Sequence, residues 1–167
     1  MDTNEDTRSG YLVERVYVGY QEYGLLDPEA TPTADRRDRG VQFGWDWRPV
    51  GHRKFEVIID LEIEPAVQAP ERAKVRLIGL FEAAADEPSI SFLNFVKLNA
   101  SAILFPFARE VISTMTGRGP YGAFHVHPLN LAAMLKDTSI EGTTGWKYLE
   151  SNPEFAETFG LPFRVEA

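Results

Sequence analysis

Between residues 41 and 48 the chain alternates strictly. Val41, Phe43, Trp45 and Trp47 fall on one side, and Gln42, Gly44, Asp46 and Arg48 on the other. A repeat of two is that of a strand with one face on a core, so the spacing predicts a half-buried strand. Pro49-Val50-Gly51 then begins a turn. The next run sets Phe55, Val57, Ile59, Leu61 and Ile63 against Glu56, Asp60, Glu62 and Glu64, with Ile58 the exception. Pro65 and Pro70 bracket a second turn, and Ala73, Val75, Leu77, Gly79 and Phe81 form the apolar face of a further strand. The last two runs propose their own register. If paired residue numbers sum to 136, Glu64 faces Arg72, Glu62 faces Lys74 and Asp60 faces Arg76, while Ile59 meets Leu77 and Leu61 meets Val75. Each opposite-charge pair contributes only about 0.2–1 kcal/mol. A slip of one residue is worse, because it turns a whole apolar face to water. Charge and hydrophobicity therefore agree on an antiparallel hairpin.

Upstream, residues 1–10 read as a flexible, solvated arm. Tyr11 to Tyr23 is rich in β-branched and aromatic residues and predicts another strand. Residues 24–40 hold Pro28, Pro32, the cluster Arg36-Arg37-Asp38-Arg39 and Gly40, and predict a long connection. After Pro88 the period changes. Phe92, Phe95 and Val96, then Ile103, Leu104, Phe107, Ala108, Val111, Ile112 and Met115, recur at three and four. This predicts a helix running to about Thr116 and broken near Asn99, which would cap the second piece. Pro106 fits only in the first turns of that piece or at a kink. Gly117-Arg118-Gly119-Pro120 stops the helix. Residues 121–128 are extended or looped, and Leu129 to Lys136 predict a short helix. Beyond lies an extension, 137–167. Gly142, Gly145 and two threonines read as a linker, Asn152-Pro153-Glu154 as a capped helix start, and Gly160 as its stop. The expected class is α+β. A four-stranded antiparallel sheet with a long crossover after strand 1 is followed by a long and a short helix over residues 11–136.

Composition narrows the function. Apolar residues make up 44% of 167, with 11 Phe, 6 Tyr and 3 Trp, enough for a core. There is no cysteine, which removes disulfides, thiolate metal sites and a cysteine nucleophile. The net charge of −8 argues against binding nucleic acid and favours basic partners. No apolar run reaches the roughly 18 residues of a membrane span, and Met1 to Gly10 is too polar for a secretory signal. A cytoplasmic protein without membrane insertion is expected.

Candidate chemistry is sparse. His125 and His127 are spaced to share one side of an extended segment, but no pattern supplies further metal ligands. Gly117-Arg118-Gly119-Pro120 follows a helix and lacks the lysine of a phosphate loop. No serine lies in a nucleophile elbow. Neither catalysis nor a cofactor or metal is expected. The aromatic excess around so small a sheet stands out instead: Phe43, Trp45, Trp47, Tyr121 and Phe124 exceed its packing needs and suggest a partner surface.

The segment ILFPFAREVISTMTGRG, Ile103 to Gly119, is similar to the hallmark helix of the SecB family of export chaperones. Pro128-Leu129-Asn130-Leu131 resembles the element that opens that family's second helix, and Arg15 to Val18, FEVIIDLEI and LIGLFE resemble its strands. The resemblance covers roughly residues 11–136. It implies a homotetramer, a dimer of dimers, that holds unfolded polypeptides or preproteins in apolar grooves without ATP, for export or for a dedicated client such as an antitoxin. Within the matched region the candidate groove residues are Phe43, Trp45, Trp47, Tyr121, Phe124, Leu129 and Leu131. The candidate oligomer interface is Phe107, Val111, Ile112 and Met115. Departures speak against docking on the SecA motor: the fourth strand offers Arg72, Lys74 and Arg76 in place of acids, and the tail is long, aromatic and free of cysteine. Residues 146–163 admit two readings. Trp146, Tyr148, Phe155, Phe159 and Phe163 pack on the domain, or they occupy the client groove until client displaces them. The rival classes are a small metal-binding protein or enzyme using His125 and His127, and an adaptor for one folded partner.

Overall fold

The computed structural model describes residues 9–27, 29, 39–66, 69–86 and 88–161. Most of the arm, the crossover residues Arg36 and Arg37, and Phe163 lie outside the described residues. Four strands, β1 (Tyr11–Leu25), β2 (Val41–Gly51), β3 (Lys54–Ile63) and β4 (Glu71–Ala83), form one antiparallel sheet in the order β1-β4-β3-β2. β1 and β2 are therefore its two edges. The crossover must traverse three strand spacings, roughly 14 Å, which residues 26–40 easily span.

The β3–β4 register is the one anticipated. Asp60 faces Arg76, Glu62 faces Lys74, Ile59 faces Leu77 and Leu61 faces Val75. Arg76 grips Asp60 through two bonds of 2.9 and 2.8 Å, which raises its pKa further. Glu62 draws in both Lys74 (3.3 Å) and Arg72 (3.4 Å). Odd-numbered residues from Phe55 to Ile63 and from Ala73 to Phe81 face a helix-covered core, with Gly79 among them. Fully burying each large side chain contributes about 1.5–3 kcal/mol.

The turn after β2 comes later than the sequence suggests. Pro49 and Gly51 stay in the strand around a bulge at Val50, and the chain reverses at His52-Arg53. Arg53 takes φ 59°, a left-handed conformation disfavoured for a side chain with a Cβ. Its guanidinium holds it there by donating to the Ala83 carbonyl (2.6 Å), the Ala85 carbonyl and Asp86 (2.5 Å).

The long helix, α1, is unbroken. It joins a first turn (Phe92–Asn94), a π-helical segment (Phe95–Asn99) and an α-helical segment (Ala100–Gly117). Asn99 has helical dihedrals and caps nothing; the Ala100 N–H reaches the Phe95 carbonyl five residues back. The extra residue of a π turn re-phases the buried face without ending the helix. Pro106 lies within the α-helical segment, not at its start. Both Pro106 and Ala102, whose carbonyl loses its partner, face solvent, where water can take the bond. Helix α2 (Leu131–Lys136) begins two residues later than expected, capped by Asn130, which accepts from the Ala133 N–H at 3.0 Å.

The supposed linker is a helix. α3 (Thr144–Ser151) starts at Thr143, whose hydroxyl accepts from the Trp146 N–H, and α4 (Glu154–Thr158) follows directly. Asn152 ends α3 and does not cap α4 with its side chain, which donates to the Tyr148 carbonyl at 2.9 Å. Gly160, at φ 65°, terminates α4 as expected. Leu149, Ala156 and Phe159 join the same core as the sheet.

Candidate functional site

The inner face of β2 presents a graded row of aromatics. Phe43 is half-buried and meets Phe105 of α1 edge-on at 6.4 Å. Trp45 is half-buried, and its indole N–H donates to the Val96 carbonyl at 3.2 Å. This bond uses a carbonyl on the π-helical segment, so the irregular turn helps to seat the ring. Trp47 is fully buried and meets Phe92 edge-on at 5.2 Å, with α3 lying on it. A Cβ on Gly145 would stand 2.4 Å from the Trp47 ring, so only glycine allows α3 this close. In this state Trp47 offers no surface.

The remaining groove candidates lie elsewhere. Tyr121 and Phe124 are buried in the stretch after α1. The Phe124 N–H donates to the Thr116 hydroxyl (2.8 Å), and the Arg39 guanidinium lies over the Phe124 ring at 5.1 Å. Arg39 also pairs with the fully buried Glu71 at 2.6 Å, and Glu71 accepts from the Tyr23 hydroxyl at 2.8 Å. Leu131 is buried and Leu129 half-buried at the entry of α2. Partly open apolar surface among the seven candidates therefore comes from Phe43, Trp45 and Leu129. Half-buried Val41 lies on the same face of β2.

A second apolar surface escaped the sequence reading. β1 carries two bulges, one between Val13 and Arg15 and one between Val18 and Tyr20. Simple alternation would split Val13 from Val16 and Val18. The first bulge instead brings all three opposite inward residues of β4, namely Phe81, Gly79 and Leu77. Helix α1 leaves this strip open: Val13 is 46% and Val18 42% exposed. On α1, Phe107 is 51% exposed and Val111 and Met115 are half-buried, whereas Ile112 is fully buried against the chain's own core. No sequence signal marked the bulges.

The outer face of the sheet is polar and internally paired. Tyr17 donates to Glu56 at 2.8 Å, and Arg48 reaches the same carboxylate. Desolvation, then this bond, raises the Tyr17 pKa. His125 and His127 both face solvent, and His125 Nδ1 lies 3.2 Å from the Ser113 hydroxyl. Among the described residues no three His, Asp or Glu side chains gather as a metal site, and no helix is long and apolar enough to cross a membrane.

The family model for preprotein translocase subunit SecB matches residues 9–142. The chain belongs to the SecB family. It is 31% identical over 144 residues to the protein-export protein SecB of Acidithiobacillus ferrooxidans, covering 82% of this chain and 95% of that one. The SecB of Bartonella quintana is 28% identical over 127 residues, covering 72% and 80%. Among solved structures, a SecB-like chaperone of Mycobacterium tuberculosis, in complex with a peptide from an antitoxin, superposes with a TM-score of 0.54. That match covers 72% of this chain and 88% of the other, and at 15% identity it establishes the shared fold. The α+β SecB-like architecture expected from the sequence is thus the observed one, and the chain is a SecB-like chaperone.

Proposed function

We propose that this chain is an ATP-independent holdase that assembles as a homotetramer and binds non-native polypeptide without carrying out a reaction. The observation that carries the reading is the partly open row Val41, Phe43 and Trp45 with Leu129, in a chain of the SecB family. Such a row suits an extended apolar segment. A groove engaging about 1,000 Å² of apolar area gains roughly 25 kcal/mol gross. Ordering about 15 client residues costs roughly 15–30 kcal/mol. The near cancellation makes each site weak and calls for several sites on one assembly. Release then needs no nucleotide. The strip Val13, Val16 and Val18 on β1, with Phe107, Val111 and Met115 on α1, is the surface we assign to contact between copies.

The client is, on this reading, a dedicated one. The acids of β3 on the sheet's outer face are engaged with Arg72, Lys74 and Arg76, which disfavours docking of a basic motor segment there. The fold-sharing mycobacterial chaperone holds an antitoxin peptide, and we extend that class of client to this chain. Cytoplasmic residence follows from such a role. The test is mass in solution with and without a permanently unfolded, reduced and carboxymethylated polypeptide. The expected result is about four subunits that capture one chain, weakened by Phe43→Ser/Trp45→Ser. A monomer that leaves the unfolded chain free overturns the reading.

A further inference from the structure

The aromatic floor beneath α3 and α4 carries an inference that rests on the holdase reading. Trp47, Phe55 and Phe92 meet ring to ring at the end of the sheet where α1 begins, with Phe92 edge-on to Trp47 (5.2 Å) and to Phe55 (4.9 Å). Tyr11, Phe81 and Phe95 pack on Phe55 from within the body; the rest of the cover lies beyond residue 142, outside the family-matched segment. That part is Phe159, stacked on Phe92 at 4.5 Å, and the bare backbone of Gly145 on Trp47, with Leu149 of α3 fully buried in the same core. One aromatic, one aliphatic and one stretch of backbone are what an apolar peptide would place there.

Two features mark the fit as replaceable. The buried Trp47 indole N–H has no hydrogen-bond partner. Trp45, two residues before it, donates to a carbonyl. Helix α3 presents no carbonyl to Trp47, whereas an extended peptide carries a free carbonyl at every residue. The seam is also unsealed: a cavity of about 570 Å³ lies between Ile90, Phe92 and Leu93 on the body and Phe159, Gly160 and Leu161 on the cover. At α3's N-terminus, Asp46 accepts from the Thr144 N–H (2.8 Å) and hydroxyl (2.5 Å).

We propose that α3 and α4 are the resident occupant of a second polypeptide site, floored by Trp47, Phe55 and Phe92, and that an extended aromatic segment of a non-native chain replaces them there. Its backbone carbonyl accepts from the Trp47 indole, and its rings take the place of Phe159. A cover that is closed for nine-tenths of the time weakens the apparent affinity about tenfold.

The test uses the full chain and the same permanently unfolded polypeptide. Amides of residues 144–151 should exchange faster with deuterium when the polypeptide saturates the protein. Gly145→Leu, which levers α3 off Trp47, should bind about tenfold more tightly. Gly142→Leu, whose new Cβ meets nothing within 4 Å, should bind as wild type does. Binding with the 144–151 amides as protected as before overturns the second site and leaves the holdase reading standing. No binding by wild type or by Gly145→Leu overturns both.

Discussion

Tyr11 ties burial to a measurable titration. It sits on the inner face of β1, stacks on Phe95 with centroids 4.0 Å apart, and donates its hydroxyl to the Ile90 carbonyl at 3.2 Å. Burial pushes its pKa up to about 12 from 10.0. The protonated form is therefore the one the fold prefers. Its stability contribution is intact below pH 10 and is lost as pH rises towards 12, because there the unfolded chain has released a proton that the folded chain retains. The loss across that window is about 2 kcal/mol. Tyr11→Phe should begin about 1 kcal/mol less stable at pH 7, for want of the hydrogen bond. It should not share the alkaline loss, so urea-denaturation curves of the two proteins should cross between pH 10 and 12. Parallel curves would show that the ring is more hydrated than this packing implies. Gly79 illustrates what a sequence conveys about a residue and what it does not. Its place on the apolar face of β4 follows from alternation alone. Its purpose is visible only in three dimensions, where an added Cβ would stand 2.6 Å from Phe81 and 2.8 Å from Leu104 of α1.

At the scale of elements, legibility depended on whether the pattern was local. β3 and β4 were readable to the register because hydrophobic alternation and opposite charges repeated the same statement at successive positions. β1 was readable as a strand but not as a surface, since its bulges depend on how it pairs with β4 and not on its own composition. Gly145 suggests a linker because glycine disfavours helices by roughly 1 kcal/mol, and the contact with Trp47 that requires it is nearly a hundred residues away. In the sequence Arg39 is likewise only the last member of a charged cluster in the crossover. It in fact crosses from the end of the crossover to a carboxylate, Glu71, with no exposure at all. It also donates to the Glu64 (3.2 Å) and Glu71 main-chain carbonyls. Removing one member of such a pair strands a buried charge and costs about 3–5 kcal/mol. Arg39→Met should lower stability by that amount, and adding Glu71→Leu to it should recover most of the loss. A double variant as unstable as Arg39→Met would show that the crossover is held by packing against Phe124 alone.

For the whole molecule, a single core covers only part of its sheet. Helix α1 shields β3 and β4, and α3 and α4 shield the end of β2, but the inward strip of β1 and the adjoining side of α1 remain open. A second copy laid along that strip would cover apolar area that the fold otherwise leaves to water. Phe107 tests this directly, because it is half-exposed in the subunit and would be central between two. Phe107→Asp should change subunit stability by less than about 1 kcal/mol, as expected for a surface position, while placing an unpaired charge in the proposed interface at a cost of several kcal/mol. The expected outcome is a chain that melts near the wild-type temperature but sediments as a smaller assembly at micromolar concentration. Ile112→Asp provides the contrast: five residues on, but fully buried in the subunit's own core, it should unfold the chain instead of dividing the proposed assembly. A Phe107→Asp protein with wild-type mass would move the contact between copies away from α1 and leave β1 to explain its exposed valines some other way.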